Sequence, residues 1–410
     1  MLRIGITGDG FINWGGGLDF LRTVASSLHA TSSPMEIHFL VPGLGPRASL
    51  QRTHWRLRSL AKAVLRRGIT SSYQPSRLDL QRSIDSFGIP IQTHNIDIGS
   101  RALEREAKRL KLDVLLPSFY ALPFGSELPW LGYLYDFQHR HMPDFFSVKE
   151  REQRDFHFAS MLKHAPAVIV NSKSVEADIE RFYPDARTQV FALPFSTAPT
   201  KSWLSISEDV AREAYLIPPR YFIICNQFWI HKDHATAFAA FAEIAKIPEY
   251  ADVDLVCTGS TSDHRSVGHL DRLLAQLDEM NIRSRVHILG LIPKNDQIGL
   301  MKGAAALLQP TLSEGGPGGG AVYDAIAIGT PSIVSNIPVN LEIANEDLIS
   351  FFPAGDASML AMAMKSILAN HKIDLASDVL LNKGMARRIH CGKILLSAID
   401  HVMSKRAVNN

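Results

Sequence analysis

The chain has 410 residues, more than one hydrophobic core ordinarily organises, so two domains are expected. Hydrophobic residues at 46% and charged residues at 20% are the proportions of a globular protein, and a formal charge of +2 gives no global pull toward nucleic acid. Partners must therefore be argued locally. Cys225, Cys257 and Cys391 stand far apart, two of them inside apolar strand-like runs, which points to reduced thiols rather than a disulfide framework or a thiolate metal site. The opening MLRIGITGDG lacks the long apolar region of a signal peptide, and no uninterrupted apolar span of about twenty residues follows, so a cytoplasmic chain is expected.

In chain order, the first block of strand-like runs is LRIGITG, MEIHFLVP, PIQTHNID, DVLLPS, WLGYLYD and AVIVNS, interleaved with helical pieces such as FLRTVASSLHA and SVEADIERFY. Gly15, Gly16 and Gly17 follow the first strand, at a turn where backbone can approach a diphosphate or an acceptor closely, and Gly16 and Gly17 are taken as ligand-binding. Between Arg47 and Arg77 basic residues recur without an acidic one, around an apolar stripe of Leu57, Leu60, Ala61, Val64 and Leu65. Such a helix either packs on its domain or lies on an anionic lipid surface, which would suit a lipid-linked acceptor and a peripheral position at the inner membrane face. YLYDFQHRHMPDFF closes another strand and gathers Asp136, Gln138, His139 and His141, a set that either binds metal or serves a substrate at a strand end; no metal is assigned.

LPFSTAPTKSWLSISED, rich in Pro, Ser and Thr, reads as the linker. The second block contains YFIICNQF, DVDLVCTG, VHILG, AALLQP and PSIVSN, with ATAFAAFAEIAK and SVGHLDRLLAQLDEM between them. Apolar strands alternating with helices mean parallel sheets covered on both faces, here two doubly wound domains. Ligands of such sheets sit beyond the carboxyl ends of the strands, so two facing domains place the chemistry in the cleft between them. The decisive segment is QPTLSEGGPGGGAVYDAIAIGTPSIVSNIPVNLEI. Glu314 follows a short apolar strand, Gly315 to Gly320 bare backbone amides, and a helix start follows. Amides and a helix N-terminus favour an anion, while Glu314 and Asp324 suit hydroxyl groups beside it. A nucleotide sugar supplies both.

This segment resembles the nucleotide-binding core of the retaining glycosyltransferase family four, whose usual form is Glu, seven residues, Glu, then Ala-x-x-x-Gly-x-Pro. Asp324-Ala325 and Gly329-Thr330-Pro331 keep the tail, whereas the acidic pair stands ten positions apart rather than eight and its second member is Asp. The resemblance implies the GT-B fold: an acceptor-side Rossmann-like domain over residues 1–197, a nucleotide-sugar domain over 198–384, and a last helix of about 385–410 crossing back. It further implies that Lys232 and residue 227, here Gln227 instead of Arg, hold the donor diphosphate, His231, His234 or the glycine amides making up the missing charge. Gly259 and the Gly290 to Pro293 loop with Leu291 would surround base and ribose. Asp136, then His139, would lie by the donor sugar; Gly318, Gly319, Gly320 and Asp324 would hold the donor with Glu314.

The activity so implied is transfer of a sugar from a UDP-, GDP- or dTDP-linked donor to a carbohydrate or lipid-linked hydroxyl, with retention, in polysaccharide or glycolipid assembly, and with no cofactor or metal required. The rival readings are a sugar-nucleotide epimerase of the same architecture and a nucleotide-sugar binder without turnover.

Overall fold

The computed structural model describes residues 1–12, 16–42, 84–85, 87–97, 99–123, 125–263, 265–370 and 375–409. Gly15 and the basic stretch at 47–77, with its expected membrane-surface helix, lie outside the described residues.

The first unit holds strands β1 (Leu2–Thr7), β2 (Met35–Pro42), β3 (Gln92–Ile96), β4 (Val114–Ser118), β5 (Trp130–Leu134), β6 (Ala167–Val170) and β7 (Gln189–Ala192). Its helices are α1 (Gly17–Ala30), α2 (Ser100–Arg109), α3 (Gln138–His141), α4 (Val148–His164) and α5 (Lys173–Phe182). Two short helices, α6 (Lys201–Leu204) and α7 (Glu208–Ala214), lead into the second unit, with strands β8 (Arg220–Cys225), β9 (Val253–Thr258), β10 (Val286–Gly290), β11 (Leu307–Gln309), β12 (Ser332–Ser335) and β13 (Ile349–Phe352). Between these run α8 (His234–Ala245), α9 (His269–Glu279), α10 (Lys294–Gly303), α11 (Gly319–Ala327) and α12 (Pro338–Leu341). Helices α13 (Ala357–Ala369) and α14 (Ser377–Asn409) finish the chain.

The strand orders are β3-β2-β1-β4-β5-β6-β7 and β10-β9-β8-β11-β12-β13, and every described pairing is parallel. Both sheets therefore wind outward from a central pair, β1/β4 in one and β8/β11 in the other. At such a pair the connections leave in opposite directions, and a crevice opens beyond the strand ends. The uninterrupted apolar runs follow from burial on both faces. In β6, Ala167 and Ile169 join one core while Val168 and Val170 join the other; in β8, Phe222 and Ile224 oppose Tyr221 and Ile223 in the same way. The sequence pattern missed β7 and β13, which are edge strands of four residues each and carry partly exposed positions.

The last helix ties the two units. Near its start Lys383 Nζ meets Asp347 at 2.6 Å and Arg387 Nε meets Glu346 at 2.8 Å. Further on, Leu395, Ala398, Ile399 and Val402 enter the core that contains Leu21, Val24 and Leu28 of α1. The two helices close on one another at Gly392, where an added Cβ would collide with the Ser27 carbonyl oxygen. Gly392→Ala is therefore expected to lower unfolding stability by about 1–3 kcal/mol in urea titrations. Gly320→Ala, whose Cβ would meet nothing within 4 Å, serves as the tolerated control. Equal midpoints for the two variants would contradict this account of the α1–α14 contact.

Candidate functional site

A cavity of about 700 Å³ lies between the sheets and takes its walls from both. Its second-unit wall is built at the β8/β11 switch. The loop after β8 carries Gln227, Trp229, His231 and Lys232 into the cavity, and the loop after β11 carries Ser313 and Glu314. Lys232 ends a 3₁₀ turn, Ile230–Lys232, and Asp233 in the left-handed region turns the chain into α8. The two loops are pinned together because Leu312 N donates to the His231 carbonyl at 2.8 Å and Thr311 Oγ1 donates to the same oxygen at 3.2 Å.

That pinning brings Lys232 Nζ onto Glu314 Oε1, a pair with side chains only 9% and 11% exposed. A buried chain of amides orients the carboxylate: Asn226 Nδ2 donates to Gln309 Oε1 at 2.7 Å, and Gln309 Nε2 donates to Glu314 Oε1 at 3.0 Å. The charges nearly cancel in the unliganded protein. A partly desolvated ion pair of this kind contributes little net stability, so its placement at a cavity wall points to ligand exchange.

Beyond Glu314 the glycine loop folds under the first unit. Gly315 accepts at its carbonyl from Ser172 Oγ at 3.1 Å, and a Cβ there would strike the Tyr135 carbonyl. Gly318, just before α11, and Gly319, its first residue, both take left-handed φ, +67° and +63°, a conformation that favours glycine. Gly319 and Gly320 line the cavity. The Gly318 amide does not face it: that N–H donates to Asn340 Oδ1 at 2.7 Å, while Asn340 Nδ2 holds the Ser335 carbonyl at 2.9 Å. Gly318 thus anchors the loop rather than offering its amide to a ligand.

Asp324, on the cavity wall, is bound by Lys294 Nζ at the start of α10. Burial pushes the Asp324 carboxyl up, and the Lys294 charge pulls it back. Burial works against the Lys294 charge, yet the Asp324 carboxylate holds that ammonium above its usual range. Lys294 escaped the sequence reading, which stopped at Pro293, although a lysine opening a helix after the Gly290 turn is a visible signal. Leu291 lines the cavity and is 80% exposed. Gly259 sits just behind the wall: its φ is +134°, a Cβ would strike the Asn226 carbonyl, and its N–H donates to the Gly290 carbonyl at 2.8 Å.

On the first-unit wall, Gly16 lines the cavity, whereas Gly17 lies behind it, where a Cβ would collide with the Phe11 carbonyl oxygen. Asp136 and Gln138 line it too. Asp136 is clasped by Arg154, which bonds both its carboxylate and, at 3.1 Å, its carbonyl. His139, expected by the donor sugar, points elsewhere: it is 1% exposed, its Nε2 meets Asp155 Oδ1 at 2.9 Å, and it lines a separate depression with Arg140 and Arg151. His141 pairs with Asp178 at 2.8 Å. Asp136, His139 and His141 thus turn to three different partners and do not converge on a metal. Among the described residues no group of three or more His, Cys, Asp or Glu is arranged to hold one.

The charge missing at Gln227 is not made up by histidine. Burial pushes His231 down to about 2, with Lys232 and Arg265 adding to the effect. His234 is fully buried, stacks on Phe228 with ring centroids 4.1 Å apart, and is pushed by burial down to about 3. Both rings are neutral near pH 7. A cation that sequence reasoning missed nearby is Arg265, which lines a neighbouring depression, stacks on Trp229 at 4.9 Å and on Phe146 at 5.1 Å, and donates to Gln138 Oε1 at 3.1 Å across the units.

Residues 208–378 match glycosyl transferases, group 1. The matched stretch contains Gln227, Lys232, Lys294, Glu314 and Asp324. No curated protein matches. Among solved structures, sucrose-phosphate synthase from Thermosynechococcus elongatus is similar at a TM-score of 0.58 and 18% identity, over 98% of this chain and 94% of that one. HepE from Anabaena, in complex with UDP and glucose, has a TM-score of 0.55 and 13% identity, over 100% and 99%. WaaG, a glycosyltransferase involved in lipopolysaccharide biosynthesis, has a TM-score of 0.51 and 14% identity, over 96% and 95%. The fold is thus GT-B, two Rossmann-like units facing a central cleft.

The neutral histidines have a stability consequence. The unfolded chain protonates them near pH 6.5, while the folded chain resists protonation, so their contribution is complete above about pH 6.5. It is lost as pH falls toward the folded values, by about 1.4 kcal/mol per pH unit for each group. His234→Phe should therefore flatten the fall in unfolding free energy between about pH 6 and pH 4.5 by one group's slope. Parallel curves for the wild type and this variant in a pH series of urea titrations would contradict a buried, neutral His234.

Proposed function

We propose that the protein transfers a sugar from a nucleoside-diphosphate sugar to an acceptor hydroxyl. The observation that carries this reading is the Lys232–Glu314 pair at the β8/β11 switch, in a cavity that Gly319 and Gly320 also line and inside the stretch matched to group 1 glycosyl transferases. An arriving diphosphate competes for Lys232, and the released Glu314 carboxylate then accepts from sugar hydroxyls. As the glycosidic bond breaks, negative charge grows on the diphosphate and positive charge on the sugar; Lys232 and the N-terminus of α11 stabilise the first. Asp136 and Gln138 face that spot from the opposite wall, where an acceptor would be held close.

Asp324, with Lys294, is assigned to the nucleotide ribose, and Ser260 and Leu291 to the base. That HepE was solved with UDP and glucose supports a nucleotide-sugar donor, and the involvement of WaaG in lipopolysaccharide biosynthesis supports an acceptor in glycolipid or polysaccharide assembly. Retention of configuration and independence from metal belong to the same proposal, as does a place in the cytoplasm or at its membrane face. No described helix is long and apolar enough to cross a membrane.

Incubation with UDP-, GDP- and dTDP-sugars tests the reading. Free nucleoside diphosphate with a glycosylated acceptor is expected; an altered sugar nucleotide would indicate an epimerase, and an unchanged bound ligand a non-catalytic binder. Lys232→Ala should cost at least about tenfold in transfer rate, about 1.4 kcal/mol of barrier, with the melting temperature preserved. Unchanged turnover would remove the diphosphate from Lys232. Glu314→Gln should erase discrimination between donor sugars while leaving nucleoside-diphosphate affinity equal or higher, because Lys232 loses its competitor. Calorimetry with both ligands reads this, and equal losses for the two would place Glu314 away from the sugar.

A further inference from the structure

The charges along the cavity wall pair off with one exception. Lys232 is matched by Glu314 and Lys294 by Asp324. Arg22 on α1 is matched by Asp19 at 3.0 Å. Arg388, on α14, lines the same cavity and has no carboxylate partner among the described residues. Its Nη2 donates to the neutral Ala198 carbonyl at 3.3 Å, and its buried Nε has no partner. Burial lowers Arg388 to about 10, and the charge of Arg22, which lines the same cavity, adds to the effect. A guanidinium held beside a like charge in a partly dry cavity is costly unless an anion arrives.

The surroundings fix the arrangement. Arg22 lies over the Trp203 ring at 5.1 Å, and Trp203 also lines the cavity. The α14 backbone is held against the linker, since a Cβ at Gly384 would meet Ala198. Arg388 stands four residues further along that helix. Lysine and glycine amides at the β8/β11 switch are distinct elements from this pair, which belongs to α1 and α14. Arginine forks suit a phosphate, which they bind through two parallel N–H bonds.

We propose that Arg22 and Arg388 form a second anion subsite in the cleft, for a terminal phosphate group beyond the two of the donor diphosphate. The subsite rests on the reading of this cleft as a nucleotide-sugar site, and it adds a charged group that one of the two substrates must carry. Either the acceptor is a phosphorylated sugar, or the nucleotide carries a further phosphate.

Calorimetry on the full chain tests this with wild type, Arg388→Met and Arg22→Met, all first checked by thermal melting. Protein saturated with UDP or GDP is titrated with glucose 6-phosphate, glucose and inorganic phosphate; separately, free protein is titrated with UDP, UTP, GDP and GTP. The expected result is that glucose 6-phosphate or the triphosphate binds at least tenfold more tightly than its partner lacking the phosphate. That advantage should disappear in Arg388→Met. Preference for glucose 6-phosphate assigns the phosphate to the acceptor, and preference for the triphosphate assigns it to the nucleotide. Should neither preference exist in the wild type, or should it survive in Arg388→Met, the subsite is refuted. A loss of diphosphate affinity in Arg388→Met equal to the loss for the phosphorylated ligand would merge the subsite with the diphosphate site and refute it as well. Absence of any nucleotide binding by the wild type would instead count against the donor reading; inorganic phosphate titrated into free protein, wild type against Arg388→Met, then decides the subsite alone.

Discussion

The site depends on one ion pair formed at a place that topology creates. Lys232 and Glu314 are 82 positions apart, yet both stand just beyond the carboxyl ends of adjacent parallel strands, β8 and β11. Because the sheet winds outward in both directions from that pair, no helix covers the gap, and the two loops fill it. The Asn226–Gln309–Glu314 relay and the shared His231 carbonyl leave the carboxylate few alternative positions. In the proposed reaction a charge pair so held would give way to a ligand with stronger negative charge, since its net worth to the fold is small and its cost of breaking would be met by the incoming anion.

The glycine loop adds a constraint of a different kind, from missing side chains. Gly315 lets the loop touch the Tyr135 backbone on the opposite unit, and Gly318 and Gly319 reverse the chain in the left-handed region so that α11 can begin beside Glu314. Side-chain bonds then fix the relation between the units: Glu342 accepts from Lys173 N at 3.0 Å and Ser174 N at 2.8 Å, capping α5 of the first unit from the second. Those contacts close the crevice around the cavity, and they explain why the two walls face each other at hydrogen-bonding range.

Most of the architecture was legible in the sequence because doubly buried strands write themselves as short unbroken apolar runs. Eleven of the runs picked out fall on strands; β7 and β13 were missed since edge strands are buried on fewer sides and lose the signal. Of the residues expected at strand ends, Lys232, Glu314, Asp136 and Gly16 line the cavity. What the sequence could not display was orientation on a short turn. Within Gln138–His141, a helix of four residues, Gln138 faces the cleft and His139 the opposite side, a rotation no pattern of so few residues resolves. Long-range partners were equally hidden: Arg154, Arg265, Lys294 and Arg388 are ordinary basic residues until folding sets them beside Asp136, Trp229, Asp324 and Arg22.

The departures from the resembled motif are explained by these partners rather than by loss of the site. Asp324 is one methylene shorter than glutamate, and Lys294 reaches it from α10, across the cavity end. Burial pushes that carboxyl up, and the Lys294 charge pulls it back toward the ionised form. The longer loop contains two consecutive left-handed glycines, Gly318 and Gly319, at the start of α11, and Glu314 still meets Lys232. Gln227 is the one change that removes positive charge outright, and the neutral His231 and His234 do not restore it. In the proposed reaction the cationic burden at the donor diphosphate would rest on Lys232 and the α11 N-terminus, which would make the ion pair with Glu314 more consequential than it would be beside an arginine.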